Sequence, residues 1–191
     1  MPTDLNVVTR GSGPTVLFVH GLDSDADVWT PVIDLLEDHT CVAIDLPGHG
    51  ASPVSDDPAA YEREALLTDL DDVLGNLDAP VVLVGHSLGG YLGMAHALTR
   101  PGAVAAMVLV STGPGFRDPA ARESWNDRVR ENAKDYGIPE IAAAVAFHVD
   151  AMVIDRMTEL TLPLALVIGD GDKAYLGAND YMEKKLPHAV R

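Results

Sequence analysis

The chain has 191 residues, of which 47% are hydrophobic and 22% are charged, and this composition excludes disorder, collagen-like repeats and a coiled coil. Folding at this length buries roughly 70% of the surface of the unfolded chain, which suffices for one sizeable core but hardly for two. The net charge of −16 repels phosphate backbones and anionic lipid headgroups, so we expect neither nucleic acid nor a membrane as a partner.

The N-terminus and the single cysteine bear on the compartment. The chain does not begin with a basic region and an apolar stretch, and its longest apolar run, residues 103–110, is too short to span a bilayer. Cys41 cannot form an intrachain disulfide, and its apolar neighbours predict a position in the core. These features favour a cytoplasmic protein, and they leave its oligomeric state open.

Short apolar runs rich in Val, Ile and Leu predict strands that are buried on both faces. These runs are residues 15–20, 40–45, 80–85, 103–110 and 163–169. Helical patterns lie between them: one begins at Thr30-Pro31, one follows Asp57-Pro58, and one covers Leu88–Thr99. This alternation predicts an α/β fold, a mostly parallel sheet with helices on both faces.

One stretch, residues 118–161, contains helical patterns but no strand. Asp118 is a suitable N-cap before Pro119, and Gly137-Ile138-Pro139 interrupts the helical pattern. We predict two or three helices here, forming an insertion rather than a second domain. Residues 1–191 are then a single domain, in which residues 116–160 form a reduced helical lid.

The segment Gly85-His86-Ser87-Leu88-Gly89 follows a predicted strand and opens a predicted helix, so its G-x-S-x-G spacing indicates a nucleophile elbow. A serine on such a tight turn is raised clear of the sheet in a strained conformation, and glycines two residues away let the chain close. The helix N-terminus places free N–H groups beside the serine, where negative charge develops in acyl transfer.

A second strand ends in His20-Gly21-Leu22 at the same edge of the predicted sheet. We expect the backbone N–H groups of Leu22 and Leu88 to converge on one oxygen, as the oxyanion hole of an acyl-transfer enzyme requires. The side chain of His20 itself is predicted only to pack at the end of its strand.

A glycine-rich turn, Asp45-Leu46-Pro47-Gly48-His49-Gly50-Ala51-Ser52, follows the next strand. Together with the two preceding segments and in the same order, it resembles the α/β-hydrolase superfamily, in its esterase, lactonase, haloperoxidase and C–C hydrolase branch. The resemblance implies that this turn is structural. It also implies a catalytic acid after the strand that follows the insertion, where Asp172 matches the position and Asp170 is the alternative.

A serine nucleophile needs an imidazole to accept its proton. The resemblance implies a histidine in a loop after one further strand, which this sequence does not contain. His188 precedes the expected position of that strand, at the opposite end of the sheet from Ser87, and His148 lies in the insertion. Neither is a strong candidate, so we expect the general base to be absent.

No cofactor or metal is expected. Residues 169–174 satisfy the G-x-G-x-x-A dinucleotide fingerprint, but Asp170 and Asp172 would repel a pyrophosphate and no further strand follows to supply a ribose-binding acid. The aspartates of residues 23–34 lack the turn glycine and distal glutamate of a calcium loop. No cluster of Cys and His indicates zinc.

The sequence thus predicts a serine-type hydrolase acting on a small ester, lactone or related acyl substrate, with activity impaired by the missing histidine. Ser87 would attack, Leu22 and Leu88 would stabilise the oxyanion, and Asp172 would be the acid. Two alternatives remain open. One is a non-catalytic homologue that binds a small ligand, and the other is a truncated product with an exposed sheet edge.

Overall fold

The computed structural model describes residues 4–78 and 80–191, and its centre is a six-stranded sheet. The strands are β1 (Val7–Arg10), β2 (Thr15–Val19), β3 (Thr40–Ile44), β4 (Val81–His86), β5 (Val104–Val110) and β6 (Leu164–Val167). Their order across the sheet is β1-β3-β2-β4-β5-β6, and only β1 runs antiparallel to its neighbour. The predicted α/β fold with a mostly parallel sheet is confirmed.

The sequence did not predict β1, because this strand has four residues and only one of them is even partly buried. Residues 1–3, which belong to the N-terminus considered for a targeting signal, lie outside the described residues. Within the described part of the chain, no helix combines the length and hydropathy that a membrane crossing needs.

Six α-helices and four 3₁₀ turns connect the described strands. The helices are α1 (Thr30–Ile33), α2 (Arg63–Gly75), α3 (Leu88–Thr99), α4 (Pro119–Asn132), α5 (Met152–Arg156) and α6 (Leu176–Lys185). The 3₁₀ turns are Ala26–Trp29, Pro58–Tyr61, Glu140–Ala146 and Met157–Glu159. The insertion therefore contains α4, α5 and two of the 3₁₀ turns.

Capping side chains begin two of these segments as predicted. The Asp57 carboxylate accepts a hydrogen bond from the Ala59 N–H, but Glu62 is extended, so a 3₁₀ turn forms first and α2 begins only at Arg63. The Asp118 carboxylate accepts one from the Ala120 N–H at 3.0 Å and starts α4. Helix α3 has the predicted bounds.

The two faces of the sheet are covered unequally. The larger core lies under α2, α3 and the insertion, where the leucine stripe of α2 is buried. On the other face, Trp29 and Ile33 cover β2 and β3, whereas Val82 and Val84 of β4 are only partly buried. Cys41 lies in this second cluster, 1% exposed, as the sequence predicts, and burial raises the pKa of its thiol.

The last described residues return to the sheet beside β6. The Val190 N–H donates to the Leu164 carbonyl at 2.9 Å, and its carbonyl accepts from the Leu166 N–H at 2.7 Å, in parallel register. His188 is exposed and precedes this bridge, so it lies towards the amino end of β6. Ser87, by contrast, follows the carboxyl end of β4.

Candidate active site

Ser87 lies on the turn between β4 and α3 with φ 48° and ψ −110°, a conformation that is strained for any residue with a side chain. The two flanking glycines permit the turn. A Cβ on Gly85 would lie 2.5 Å from the Gly90 nitrogen, and one on Gly89 would lie 2.2 Å from the Val19 carbonyl oxygen. The sharp strand-to-helix turn that the glycine spacing predicts is therefore present.

The loop after β2 lies directly against this turn. The Gly89 N–H donates to the His20 carbonyl at 3.1 Å, and a Cβ on Gly21 would lie 3.3 Å from the Ser87 Cβ. The N–H groups of Leu22 and Leu88 donate to no other described residue. Both residues line the same cavity as Ser87, so two unpaired amide groups lie in the segments that flank the serine.

Two buried histidines hold the loop after β2 in place. The His20 Nε2 accepts from the Leu46 N–H at 2.9 Å, so its Nδ1 carries the proton and donates to the Gly21 carbonyl at 2.6 Å. Burial lowers the pKa of His20 to about 4, which keeps the ring neutral. His20 is thus a packed and hydrogen-bonded histidine, as the sequence predicts.

His49 supports the loop from the other side, because its Nε2 lies 2.5 Å from the Leu22 carbonyl oxygen. It belongs to the glycine-rich turn, which Asp45 organises by accepting from the N–H groups of Ala26 and Ala51. A Cβ on Gly50 would lie 2.3 Å from the Asp45 carboxylate, so the glycine is required. The turn is structural, as the resemblance implies, but the contact of His49 with Leu22 was missed.

The hydroxyl of Ser87 has a phenol as its partner. Tyr175 Oη lies 3.2 Å from Ser87 Oγ, and the Tyr175 N–H donates to the Asp172 carboxylate at 3.3 Å. Burial raises the pKa of the Tyr175 phenol, the bond to Ser87 opposes this, and the charge of Asp172 reinforces it. The phenol is therefore protonated at neutral pH.

Asp172 lies in the loop after β6, within electrostatic reach of Tyr175 and of the His86 imidazole. Burial lowers the pKa of His86, and Asp23 and Asp172 oppose that shift. Asp170, the alternative acid, is exposed and makes no hydrogen bond within the described residues.

The structure places none of the seven histidines, all of which it describes, within hydrogen-bonding distance of Ser87 Oγ. His96 bonds to Asp71 at 2.7 Å, well down α3. His148 shares the cavity with Ser87 but bonds to neither Ser87 nor Asp172. Its pKa is lowered to about 4, mainly by burial and in smaller part by the charges of Arg63 and Arg122.

A second residue that sequence reasoning missed supports the serine from below. Asn179 of α6 is fully buried, and its amide donates to the carbonyls of Thr112, at 2.9 Å, and Tyr175, at 3.1 Å. Thr112 Oγ1 in turn donates to the Ser87 carbonyl at 2.6 Å. No sequence signal marks this chain of contacts, because an asparagine within a helix is common on a surface.

The cavity above Ser87 has a volume of about 470 Å³ and is lined mainly by aromatic and aliphatic side chains, many from the insertion. The rings of Tyr91 and Phe116 meet His148 edge-on at centroid distances of 4.6 and 5.2 Å. The side-chain amide of Asn126 pairs with both the N–H and the carbonyl of His148, which fixes this residue in the wall. A cavity of this size suits a small molecule with an apolar body.

Within the described residues, no group of three or more His, Cys, Asp or Glu side chains is arranged to hold a metal ion. The cavity brings together the Ser87 hydroxyl, two amide donors and a largely apolar wall. This set suits attack on an acyl carbon whose oxygen gains negative charge.

The Alpha/beta hydrolase family matches residues 16–184 of this sequence, which is most of the chain. The chain belongs to this family. Among solved structures, a carboxylesterase of the thaumarchaeon Nitrososphaera gargenis superimposes with a TM-score of 0.83 at 18% identity, covering 100% of this chain and 86% of the other, which shows the shared fold.

Two relatives are closer in sequence to this α/β hydrolase. Lipase LipV of Mycobacterium tuberculosis is 40% identical over 134 residues, which is 69% of this chain and 47% of the relative. The 2-(acetamidomethylene)succinate hydrolase of Mesorhizobium japonicum is 34% identical over 146 residues, 75% of this chain and 50% of the relative. The chain thus matches at most about half the length of these relatives.

Proposed function

We propose that this α/β hydrolase is a serine-type hydrolase of small ester, lactone or related acyl substrates, and that the 191-residue chain turns over slowly. The observation that carries the proposal is the strained turn at Ser87, which lines an apolar cavity together with Leu22 and Leu88, whose amides are unpaired within the described residues. The names of the lipase and the succinate-derivative hydrolase among its relatives support hydrolysis at an acyl carbon.

In the proposed reaction, Ser87 Oγ attacks the acyl carbon and the carbonyl oxygen becomes an oxyanion. The N–H groups of Leu22 and Leu88 donate hydrogen bonds to that oxygen, and the N-terminus of α3 adds a favourable dipole. The Oγ proton passes to solvent water, and the leaving alkoxide takes up a proton from water as the intermediate collapses and departs as the alcohol. Water then hydrolyses the serine ester, which releases the acid and restores Ser87. We assign Asp172 as the acid of the site, and residues 116–160 as the lid.

Slow turnover follows from the surroundings of the serine hydroxyl. A proton must leave Oγ as the bond to carbon forms, and Tyr175, its one hydrogen-bonding partner among the described side chains, is a protonated phenol at neutral pH. Loss of one member of a catalytic triad lowers turnover by on the order of 10⁴ to 10⁶, while the oxyanion hole and binding retain about 10³ to 10⁴ over water.

Labelling with a fluorophosphonate tests the proposal. We expect the probe to modify Ser87, identified by peptide mass spectrometry, at a rate on the order of 10⁴ below that of a hydrolase with a complete triad. Ser87→Ala should abolish labelling. Ser111→Ala is the matched control, because Ser111 also has a positive φ, of 44°, at the end of a neighbouring strand, and its removal should leave the rate unchanged.

Rapid labelling, at the rate of a complete triad, would contradict the expected impairment and would require a base that the contacts of Ser87 do not include. Labelling spread over other residues, and unaffected by Ser87→Ala, would overturn the assignment of the nucleophile. Circular dichroism of each variant distinguishes loss of the hydroxyl from loss of the fold.

Tyr175→Phe is expected to speed labelling of Ser87 by about 2- to 10-fold, the equivalent of one hydrogen bond of about 0.5–1.5 kcal/mol. A phenol is the better donor of the two hydroxyls, and a bond donated to Oγ reduces the nucleophilicity of that oxygen. The matched control is Tyr136→Phe, which removes another phenol from the same cavity. Slower labelling of Tyr175→Phe would show instead that the phenol helps to remove the serine proton.

A non-catalytic ligand-binding protein is the second candidate, and the bond between Ser87 and Tyr175 favours it, because that bond occupies the hydroxyl in the resting state. Calorimetry with a short-chain ester would show saturable binding in both cases. The second candidate would be established by three results together: the ester binds, no acid product forms after prolonged incubation, and the fluorophosphonate does not label Ser87.

A further inference from the structure

Side chains of opposite charge line the cavity. Asp23 lines it beside Leu22 and Ser87, whereas Arg128 lines it on the side of the insertion, next to Trp125. We call the part formed by Trp125, Arg128, Phe147 and His148 the insertion end.

Arg128 stands out from the other arginines of the chain. Seven of the nine arginines form an ion pair with Asp or Glu, as expected where 29 acidic residues meet 13 basic ones. Arg122 and Arg128, both on α4, have no carboxylate partner within the described residues. Arg122 donates through Nη1 to the carbonyls of Phe116 and Arg117, and it is not among the residues that line the cavity.

Arg128 lines the cavity from an exposed position, and its guanidinium leaves most of its donors free. Its Nε donates weakly, at 3.4 Å, to the Ser124 carbonyl of its own helix, and its Cζ lies 5.6 Å from the Trp125 ring centroid. A guanidinium presents five N–H donors in a fork that matches a carboxylate. Stacking on the indole orders this fork without neutralising its charge.

Two other arginines lie near the insertion end. Arg63 and Arg122 both act on His148, and Asp150, the carboxylate nearest to it, is held by Arg63 through two hydrogen bonds of 2.7 Å. On α4 itself, Glu123 and Asp127 both pair with Arg130. Arg128 is therefore the cation that remains available at the cavity.

We propose that Arg128 binds a carboxylate at the far end of the acyl group, so that the preferred substrates are esters of dicarboxylic acids with one free carboxylate. This inference rests on the proposed function, because it takes Ser87 as the point of attack. The ester carbonyl then lies at Ser87, the chain of the acyl group lies against the aromatic wall, and the carboxylate meets the guanidinium.

Two phosphonate probes of equal chain length test this, one ending in a methyl group and the other in a carboxylate. We expect the ratio of their labelling rates at Ser87, carboxylate over methyl, to fall by about 10-fold in Arg128→Gln, because one charge-assisted pair is lost. Arg10→Gln is the control, since it removes an equal charge from an exposed residue of β1 that does not line the cavity, and it should leave the ratio unchanged. Physiological salt screens the overall charge of the chain beyond about 8 Å.

The methyl probe also reports the fold and the proposed function. An unchanged labelling rate with the methyl probe in Arg128→Gln would show that the cavity is intact. If the methyl probe failed to label the wild-type protein, the assignment of Ser87 as nucleophile would be contradicted, and not the role of Arg128. In that event, binding of monomethyl adipate to the Ser87→Ala protein is measured by Trp fluorescence. The double variant Ser87→Ala/Arg128→Gln should bind this ester about 10-fold more weakly than Ser87→Ala alone. The inference is overturned if the ratio of labelling rates is the same in the wild type and in Arg128→Gln. It is also overturned if the two proteins of the titration bind the ester equally.

Discussion

Replacing Gly89 with alanine is expected to lower the free energy of unfolding by about 3 kcal/mol or more, in spite of the higher helix propensity of alanine. The added Cβ would lie 2.2 Å from the Val19 carbonyl oxygen and 2.8 Å from that of His20. Both are backbone atoms at the carboxyl end of β2, whose residue Val19 is fully buried, so neither can move without disturbing the sheet. Urea unfolding followed by circular dichroism measures the loss.

The matched control is Gly177→Ala. Gly177 lies in α6, and no heavy atom lies within 4 Å of its added Cβ, so the substitution should raise stability by about 0.5–1 kcal/mol. If Gly89→Ala remained within 1 kcal/mol of the parent, on the scale of ordinary surface substitutions, the close approach of α3 to β2 would be wrong. The geometry of Ser87 depends on that approach, so the same variant should also lose fluorophosphonate labelling.

Acidification is expected to destabilise the fold between about pH 6.5 and about pH 4, because buried His20 must stay neutral. In this window the unfolded chain binds a proton at His20 and the folded chain does not. The free energy of unfolding therefore decreases as the pH is lowered. The stabilisation is complete above the ordinary pKa of 6.5 and lost as the pH reaches the folded value of about 4. At 1.36 kcal/mol per pH unit this amounts to about 3 kcal/mol.

His148 adds a loss of the same sign, because its pKa also falls to about 4 on burial. Pairing with Arg63 lowers the pKa of Asp150 to about 2. As the pH approaches this value the carboxylate becomes protonated, and the stabilisation from this ion pair is lost as well. Urea midpoints at a series of pH values measure the slope. His20→Gln keeps an acceptor for the Leu46 N–H and a donor for the Gly21 carbonyl but has no titratable group, so its slope should be shallower than that of the parent.

His188→Gln controls for the loss of one histidine, since His188 is exposed and makes no hydrogen bond within the described residues. A parent protein whose unfolding free energy is flat from pH 6.5 to 4 would contradict the neutral, hydrogen-bonded state of His20 in the fold. An identical slope in His20→Gln would assign the acid sensitivity to other groups.

The fold could be predicted from local patterns because each of them has a direct structural cause. Apolar runs become strands that are buried on both faces, and the alternation with helices requires parallel connections. The strand β1 escaped prediction because it is short and mostly exposed, and the helix after Pro58 began late because Glu62 is extended. Apolar periodicity carries little information at such positions.

Within the site, the sequence by itself determined the turn at Ser87, because only glycine fits where the backbones of β2, β4 and α3 meet. It also indicated that neither His148 nor His188 is a strong candidate for the general base. The tertiary structure alone decided that Tyr175, 88 residues away, bonds to Ser87, and that Arg128 stands at the cavity with no carboxylate partner among the described residues. Such contacts join distant segments, and their distances depend on how the insertion and α6 pack on the sheet, which no spacing along the chain specifies.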